Sequence, residues 1–306
     1  MEITVIVPLL DEEGSLEELH RQLSEALADR HYEILFIDDG SRDKSSEILQ
    51  KIIENDPMAG VITFHKNRGK SAALAAGFKR SRGDIIVTID ADLQDDPKEI
   101  PNLIRKIEEG CDLVSGWKMD RKDPFTKTIP SKLFNWITAK MSGIPLHDFN
   151  CGLKAYRREV IENIQVYGQL HRFLPVLANM EGFSIGEVKV KHHPRKFGKT
   201  KFGATRFLYG FLDFLTILYT TRYTKRPLHL FGLLGIMSLF AGTLINIYLS
   251  IGWFMGTPIG NRPLFFLGIL LTILGVQFFS IGLLGEMITR ATASEGEKGN
   301  FTPPRA

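Results

Sequence analysis

Two long uncharged stretches near the C-terminus constrain the fold of this chain more than any other feature. No Asp, Glu, Lys or Arg occurs between Arg226 and Arg262, and none occurs between Arg262 and Glu286. Each stretch exceeds the roughly 20 apolar residues that a helix needs to cross a bilayer. We therefore predict two membrane helices, over Leu228–Phe254 and Pro263–Leu284, in preference to a hairpin buried in a soluble core.

The charges around these spans predict their orientation. Arg222, Lys225 and Arg226 precede the first span, whereas the connecting loop holds only Arg262. The positive-inside rule then leaves both termini in the cytoplasm. Since the N-terminus opens into a strand rather than an apolar signal segment, no secretory signal is expected. We predict an integral protein of the cytoplasmic (inner) membrane with its N-terminal domain on the cytoplasmic side.

Overall composition argues against two other classes of protein. Lys and Arg number 38 against 35 Asp and Glu, a balance that does not favour binding to nucleic acid. Cys111 and Cys151 are the only cysteines, so neither a disulfide framework nor a cysteine zinc site is expected.

The N-terminal two thirds alternates short apolar runs with segments of helical periodicity. Such alternation predicts an α/β fold, a Rossmann-like, mostly parallel sheet covered by helices. The predicted strands are Ile3–Val7, Glu33–Ile37, Val61–Phe64, Ile85–Ile89 and Leu113–Gly116.

The fourth predicted strand ends at two carboxylates, Asp90 and Asp92, with Gln94 two positions further on. Ligands of open α/β sheets bind beyond the carboxyl ends of the strands. Mg²⁺ and Mn²⁺ take oxygen ligands, usually one or two carboxylates completed by substrate phosphates. We predict a site for Mg²⁺ or Mn²⁺ at Asp90, Asp92 and Gln94. A solvated turn is the alternative for the motif alone, but its place after a buried strand favours the metal.

Acidic residues also follow the first two predicted strands. Asp11, Glu12 and Glu13 follow the first strand, and Asp38 and Asp39 follow the second. Parallel strands bring these acids to one edge of the sheet, where they repel unless they bind a cation or accept hydrogen bonds. Three such strand ends favour a binding site there.

From Ile3 to about Glu286 the chain resembles family 2 glycosyltransferases with the nucleotide-sugar-binding (GT-A) fold. More narrowly, it resembles the polyprenyl-phosphate glycosyltransferases around dolichol-phosphate mannose synthase and the GtrB-type enzymes. The resemblance implies that nucleotide-sugar is bound by the first loop, by the base-and-ribose element, by the loop closing over the nucleotide and by the metal motif. These residues are Pro8, Leu10, Glu12, Asp39, Asn67, Lys70, Asp90, Ala91 and Asp92. Asp11 stands where the family usually has Asn.

The same resemblance implies the catalytic residues Asp92, Asp148 and Arg172. Asp148 lies in the segment His147–Lys154, which resembles the acceptor-side motif, and a turn-capping Asp is the alternative. Arg172 lies in a segment with the spacing of the Gln-x-x-Arg-Trp motif, where it would face a phosphate group. A helix-capping Arg is the alternative there.

Basic residues are candidates for binding the acceptor phosphate. The basic run from Lys189 to Lys201 resembles the loop that closes over the donor and the lipid phosphate in this family. Its side chains could contact phosphate directly or attract the protein to an anionic membrane, and the two alternatives are equally open. The predicted acceptor-phosphate residues are Lys118, Arg121, Lys132, Arg195 and Lys199.

The predicted organisation has four parts: a GT-A domain over 1–200, an interfacial amphipathic helix over 201–227, a transmembrane hairpin over 228–290 and a cytoplasmic tail over 291–306. The implied activity is metal-dependent, inverting transfer of a sugar from a UDP-glucose-like or GDP-mannose-like donor to undecaprenyl or dolichyl phosphate. A homo-oligomer, with a tetramer as one form, is expected by analogy. The alternatives are a processive polysaccharide synthase and a non-catalytic membrane scaffold.

Overall fold

The computed structural model describes residues 1–119, 135–140, 142–164, 166, 168, 170–194, 227–256, 258–259 and 262–296, without the side chains of 290–296. The chain divides into two compact units, Met1–Leu215 and Thr216–Ala306. Several predictions lie outside the described residues. They are Arg121, Lys132, Arg195 and Lys199 as phosphate ligands, and almost all of the interfacial helix over 201–227.

The first unit is built on a seven-stranded sheet. Its strands are β1 (Ile3–Leu9), β2 (Tyr32–Asp38), β3 (Ala59–Thr63), β4 (Ile85–Thr88), β5 (Leu113–Lys118), β6 (Lys154–Arg157) and β7 (Ile185–Val190). Their order is β3-β2-β1-β4-β6-β5-β7. All neighbouring pairs are parallel except those of β6, which runs antiparallel to β4 and β5. The mostly parallel α/β sheet is therefore confirmed, and β6 and β7 are additions to the predicted strands.

Helices cover both faces of this sheet. They are α1 (Leu16–Ala26), α2 (Ser45–Asn55), α3 (Lys70–Arg80), α4 (Ile100–Glu108), α5 (Arg158–Asn163) and α6 (Leu174–Met180). Single-turn 3₁₀ helices span Pro97–Glu99 and Leu170–Arg172, and residues 135–140 are also helical.

The core has one cluster on each face because successive side chains of a strand point to opposite faces. Val5 of β1 belongs to the cluster that contains Leu19 of α1 and Leu103 of α4. Its neighbour Ile6 belongs to the other cluster, with Leu74 of α3. The three layers therefore leave the carboxyl ends of β1, β2 and β4 at one edge of the sheet.

The second unit contains two long apolar helices, α7 (Pro227–Phe254) and α8 (Pro263–Gly296). The spans Pro227–Phe254 and Pro263–Thr289 have mean hydropathies of 2.0 and 2.3, so their length and composition suffice to cross a membrane. Glycines allow the helices to touch: a Cβ on Gly235 would lie 2.9 Å from the carbonyl oxygen of Gly275. Asn246 Nδ2 also donates to Thr272 Oγ1 across the pair (3.3 Å). Small residues and interhelical hydrogen bonds are the usual means of packing helices in lipid.

Candidate active site

Asp90 follows β4 at the sheet edge and forms an ion pair with Lys70, the first residue of α3. The two side chains are 33% and 34% exposed, respectively. Partial burial raises the pKa of Asp90, but the ammonium of Lys70 outweighs it, and the pKa lies below its ordinary value. Asp90 is therefore ionised at neutral pH and already faces a cation.

Gly152 places the acceptor-side segment directly against Asp90. A Cβ on Gly152 would lie 2.6 Å from Asp90 Cγ and 2.8 Å from Oδ1, closer than real side chains approach. The Gly152 carbonyl accepts a hydrogen bond from Thr88 Oγ1 (2.9 Å), which ties this segment to β4. Residues that are distant in sequence thus meet at one carboxylate.

Asp92 and Gln94 lie in the turn that follows Asp90. Leu93 has a φ of 56°, and Gln94 N–H donates to Asp92 Oδ1 (3.2 Å). Among the described residues no group of three or more His, Cys, Asp or Glu side chains could hold a metal alone. Two carboxylates and one carboxamide nevertheless fit Mg²⁺ or Mn²⁺, which complete their oxygen ligands with water and substrate phosphates. The predicted metal residues therefore lie in one turn and directly before it, and the metal site stays a prediction.

The acids at the end of β2 hold the surrounding loops. Asp38 is fully buried, and its carboxylate accepts from Ser41 N–H (2.8 Å) and Ser46 Oγ (2.8 Å). Asp39 accepts from Arg68 N–H (2.6 Å) and Gly69 N–H (2.9 Å). Asp39 therefore connects the end of β2 to the loop before α3, and its predicted contact with the nucleotide stays a prediction.

The other predicted nucleotide-binding residues surround the same edge. Pro8 pairs with Ile37 in the sheet register, and Leu10 directly follows β1. Glu12 N–H donates to Ser45 Oγ at the start of α2 (3.0 Å). Asn67 is exposed and lies before α3, whereas Ala91, the residue between Asp90 and Asp92 in the sequence, is buried.

His171 and Arg172 lie in the 3₁₀ turn that packs beside the start of α3. Ser71 Oγ accepts from His171 N–H (3.2 Å) and lies 2.9 Å from His171 Nδ1. Burial, with Lys70 and Arg172 nearby, lowers the pKa of His171 to about 3. The ring is therefore neutral, with Nδ1 accepting from the Ser71 hydroxyl and the proton on Nε2. The structure places half-buried Arg172 next to this anchored histidine.

Asp148 is buried, with an exposure of 1%. Its Oδ1 accepts from Asn150 N–H (3.0 Å), and its own N–H donates to Glu187 Oε1 (3.2 Å). This is the turn-capping arrangement named as the alternative, and the catalytic role stays a prediction.

Lys154 was not singled out from the sequence. Only 3% exposed, it begins β6, and its ammonium donates to the carbonyls of Phe149 (3.2 Å) and Cys151. Burial lowers its pKa below the ordinary value. A lysine within the apolar run Leu153–Tyr156 was the available signal, and the side chain braces the segment that carries Asp148 and Gly152.

Lys118, a predicted acceptor-phosphate residue, is paired with an acid in the structure. Its ammonium lies 2.6 Å from Asp95 Oδ1, with side-chain exposures of 12% and 0%. Burial lowers the pKa of Lys118, but Asp95 outweighs it, and the pKa lies above the ordinary value. His192 Nδ1 lies 3.7 Å from the same Asp95 oxygen. An acceptor phosphate would have to share Lys118 with Asp95, a residue that the sequence interpretation missed.

The chain is similar to known proteins over most of its length. The model of glycosyl transferase family 2 matches residues 4–165. Dodecaprenyl-phosphate galacturonate synthase of Rhizobium johnstonii is 35% identical, covering 98% of this chain and 91% of that protein. Undecaprenyl-phosphate 4-deoxy-4-formamido-L-arabinose transferase of Pseudomonas aeruginosa is 37% identical, covering 94% and 85%.

Two solved structures have a fold similar to that of this chain. Glucosyl-3-phosphoglycerate synthase from Mycobacterium tuberculosis, in complex with Mn²⁺, UDP and glucosyl-3-phosphoglycerate, has a TM-score of 0.56 at 20% identity, covering 72% of this chain and 79% of that one. A mannosyltransferase from Pyrobaculum calidifontis, in complex with GDP-Man and Mn²⁺, has a TM-score of 0.53 at 20% identity, covering 72% and 63%.

Proposed function

Since the chain belongs to glycosyl transferase family 2 and has the GT-A fold of that family's enzymes, we propose that it transfers a sugar from a nucleoside diphosphate to a polyprenyl phosphate. The observation that carries this proposal is similarity along the whole chain. Two polyprenyl-phosphate sugar transferases match over 94% or more of it, including both apolar helices. The acceptor class is proposed from their names, and the donor from the carboxylates at the edge of the sheet.

The donor diphosphate is proposed to bind at the turn that contains Asp90, Asp92 and Gln94. These residues would hold Mg²⁺ or Mn²⁺, which as a Lewis acid offsets charge on the departing diphosphate. Lys70 and Arg172 would add positive charge on the side of α3. Pro8, Leu10, Glu12, Asp39 and Asn67 would surround the nucleoside, and Ala91 would underlie the sugar-phosphate.

The acceptor is proposed to act without a strong base. A phosphate monoester has a second pKa near 6, so its oxygen is already anionic at neutral pH. Positioning and electrostatics should then supply most of the rate enhancement. We propose one displacement with inversion, in which the phosphate oxygen bonds to the anomeric carbon as the nucleoside diphosphate leaves. Asp148 would orient the acceptor or sugar without becoming glycosylated.

The lipid acceptor gives the apolar hairpin a purpose. A polyprenyl phosphate stays in the bilayer, so the enzyme has to be held there. We propose that α7 and α8 span the cytoplasmic membrane, with the active site and both termini on the cytoplasmic side. We also propose the four-part organisation of the chain, with boundaries at 200, 227 and 290 and an interfacial amphipathic helix over 201–227. The protein is further proposed to assemble into a homo-oligomer.

A panel assay tests the activity. The full chain in nanodiscs is incubated with radiolabelled UDP- and GDP-sugars and undecaprenyl phosphate, and the organic-extractable product is sized. One sugar on the lipid is expected for one donor, with loss of transfer on EDTA treatment. A polymer would support the processive synthase, and no transfer from any donor would support the scaffold.

A further inference from the structure

Asp90 has to serve two cations. The structure shows its carboxylate paired with the ammonium of Lys70, and the proposed function requires the same carboxylate to hold a divalent metal. An Asp bound to a fixed ammonium would make a poor metal ligand. How the chain resolves this competition depends on which of the two side chains can move.

The backbone of Lys70 is held on both sides. On one side, Gly69 N–H donates to Asp39 Oδ2 (2.9 Å), and Gly69 adopts a φ of 89° that favours glycine. On the other side, Ser71 Oγ contacts two atoms of His171: it accepts from the backbone N–H (3.2 Å) and lies 2.9 Å from the ring Nδ1. The start of α3 is therefore fixed, whereas the long Lys70 side chain, 34% exposed, retains rotatable bonds and access to solvent.

Asp90 has much less freedom. Gly152 lies so close that a Cβ there would be 2.6 Å from Asp90 Cγ, and the Gly152 carbonyl is tied to Thr88 Oγ1 (2.9 Å). The carboxylate is short and is backed by main chain, so it cannot follow the lysine. The ammonium is the mobile member of the pair.

We propose that Lys70 is an exchangeable counter-ion, which neutralises Asp90 until a divalent cation binds there and then moves to the diphosphate of the donor. The inference rests on the proposed function and deepens it at the same site. No bond is made or broken; one ion pair, Lys70–Asp90, is replaced by two, metal–Asp90 and Lys70–phosphate. The bound metal frees Lys70 for the phosphate, and the bound phosphate keeps Lys70 away from Asp90. Metal and nucleotide should therefore bind cooperatively, each raising the affinity of the other by the same factor.

Lys70→Met separates this role from a structural one, because the two ligands should respond in opposite directions. In the full chain in detergent, Mn²⁺ binding is followed by electron paramagnetic resonance, alone and with saturating UDP or GDP. Without nucleotide, the variant should bind Mn²⁺ at least about threefold more tightly, since a competing ion pair is gone. With Mn²⁺ present, it should bind the nucleotide about tenfold more weakly, since a charged hydrogen bond to phosphate is lost.

Two further variants complete the experiment. Lys79→Met removes the same charge from the exposed last turn of α3 and should change neither affinity. Lys70→Arg keeps a cation and should preserve the cooperativity between Mn²⁺ and nucleotide.

The outcomes are distinguishable. Weaker binding of both ligands to Lys70→Met, or unchanged Mn²⁺ affinity, would overturn the counter-ion role while leaving the glycosyltransferase assignment intact. Absence of Mn²⁺ binding to the wild type, with and without nucleotide, would overturn the proposed metal site itself and the inference with it.

Discussion

The carboxylates at the end of β2 and the carboxylate after β4 lie on the same edge of the sheet but bind different kinds of partner. Asp38 and Asp39 accept hydrogen bonds from backbone N–H groups of the loops around them. Asp90 is paired with the end of a flexible, one-third exposed lysine. A bond to main chain is lost only when a loop moves, whereas a lysine can exchange one anion for another. The acids at the end of β2 therefore hold the loops around the candidate site, whereas Asp90 can exchange its partner.

Among substitutions at this edge of the sheet, Asp92→Asn should produce the largest effect, a loss of sugar transfer. The substitution keeps the size of the side chain but removes a charge from the proposed metal turn. Transfer of labelled sugar into lipid should fall at least about 100-fold, the range seen when a transition-state stabilising group is removed. The melting temperature should stay within about 2 °C, since Asn keeps a side-chain oxygen that can accept from Gln94 N–H. Full activity with a normal Mn²⁺ response would contradict the metal assignment.

Gly152→Ala tests whether the position of Asp90 depends on the acceptor-side segment. The added Cβ would collide with the carboxylate, and forced overpacking typically costs about 1–3 kcal/mol. Mn²⁺ affinity, measured by electron paramagnetic resonance, should fall roughly 5- to 150-fold. Gly143→Ala is the control, because a Cβ there meets nothing within 4 Å, although its φ of 71° adds local strain. Equal Mn²⁺ affinity of wild type and Gly152→Ala would show that Asp90 is placed independently.

Asp38→Ala should destabilise the loops that the acids at the end of β2 hold. Loss of the acceptor for Ser41 N–H and Ser46 Oγ should lower the free energy of unfolding by about 2 kcal/mol. For a unit of this size that corresponds to a melting temperature roughly 5 °C lower. Because Asp38 holds loops and does not carry the reaction, Mn²⁺ affinity at low temperature should change little. A stable but inactive variant would place Asp38 in the chemistry after all.

Much of the fold was predictable because the hydrophobic pattern specifies it. The parallel strands, the helices between them, the family and the two apolar C-terminal helices were all confirmed. The strands β6 and β7 were missed, and β6 is a four-residue strand that begins with a buried lysine. Charged residues interrupt the apolar pattern in both, with Lys154 and Arg157 in β6 and Glu187 and Lys189 in β7, so neither shows the apolar run that marks the predicted strands.

The candidate metal residues Asp90, Asp92 and Gln94 follow from their place after a strand, and their role stays a prediction. The ion pairs around them could not be predicted from the sequence. The pairing of Lys118 with Asp95 joins residues on separate elements, and no local pattern encodes that contact. The bracing of the acceptor-side segment by Lys154 is equally a product of tertiary packing.

His171 supplies the smallest expected effect and tests the anchor at the start of α3. Its pKa is lowered to about 3 in the folded protein, while an unfolded histidine titrates near pH 6.5. The unfolded state therefore binds more protons below pH 6.5, and this residue lowers stability as the pH falls from there towards 3. Between pH 7 and pH 5.5 the loss should be about 1 kcal/mol, seen as a lower melting temperature in detergent. The amide oxygen of His171→Gln can accept from Ser71 Oγ without titrating. Between pH 7 and pH 5.5 the free energy of unfolding of this variant should therefore fall by about 1 kcal/mol less than that of the wild type. Identical pH dependence in both proteins would mean that His171 is not held neutral, and the anchoring of α3 through Ser71 would need another explanation.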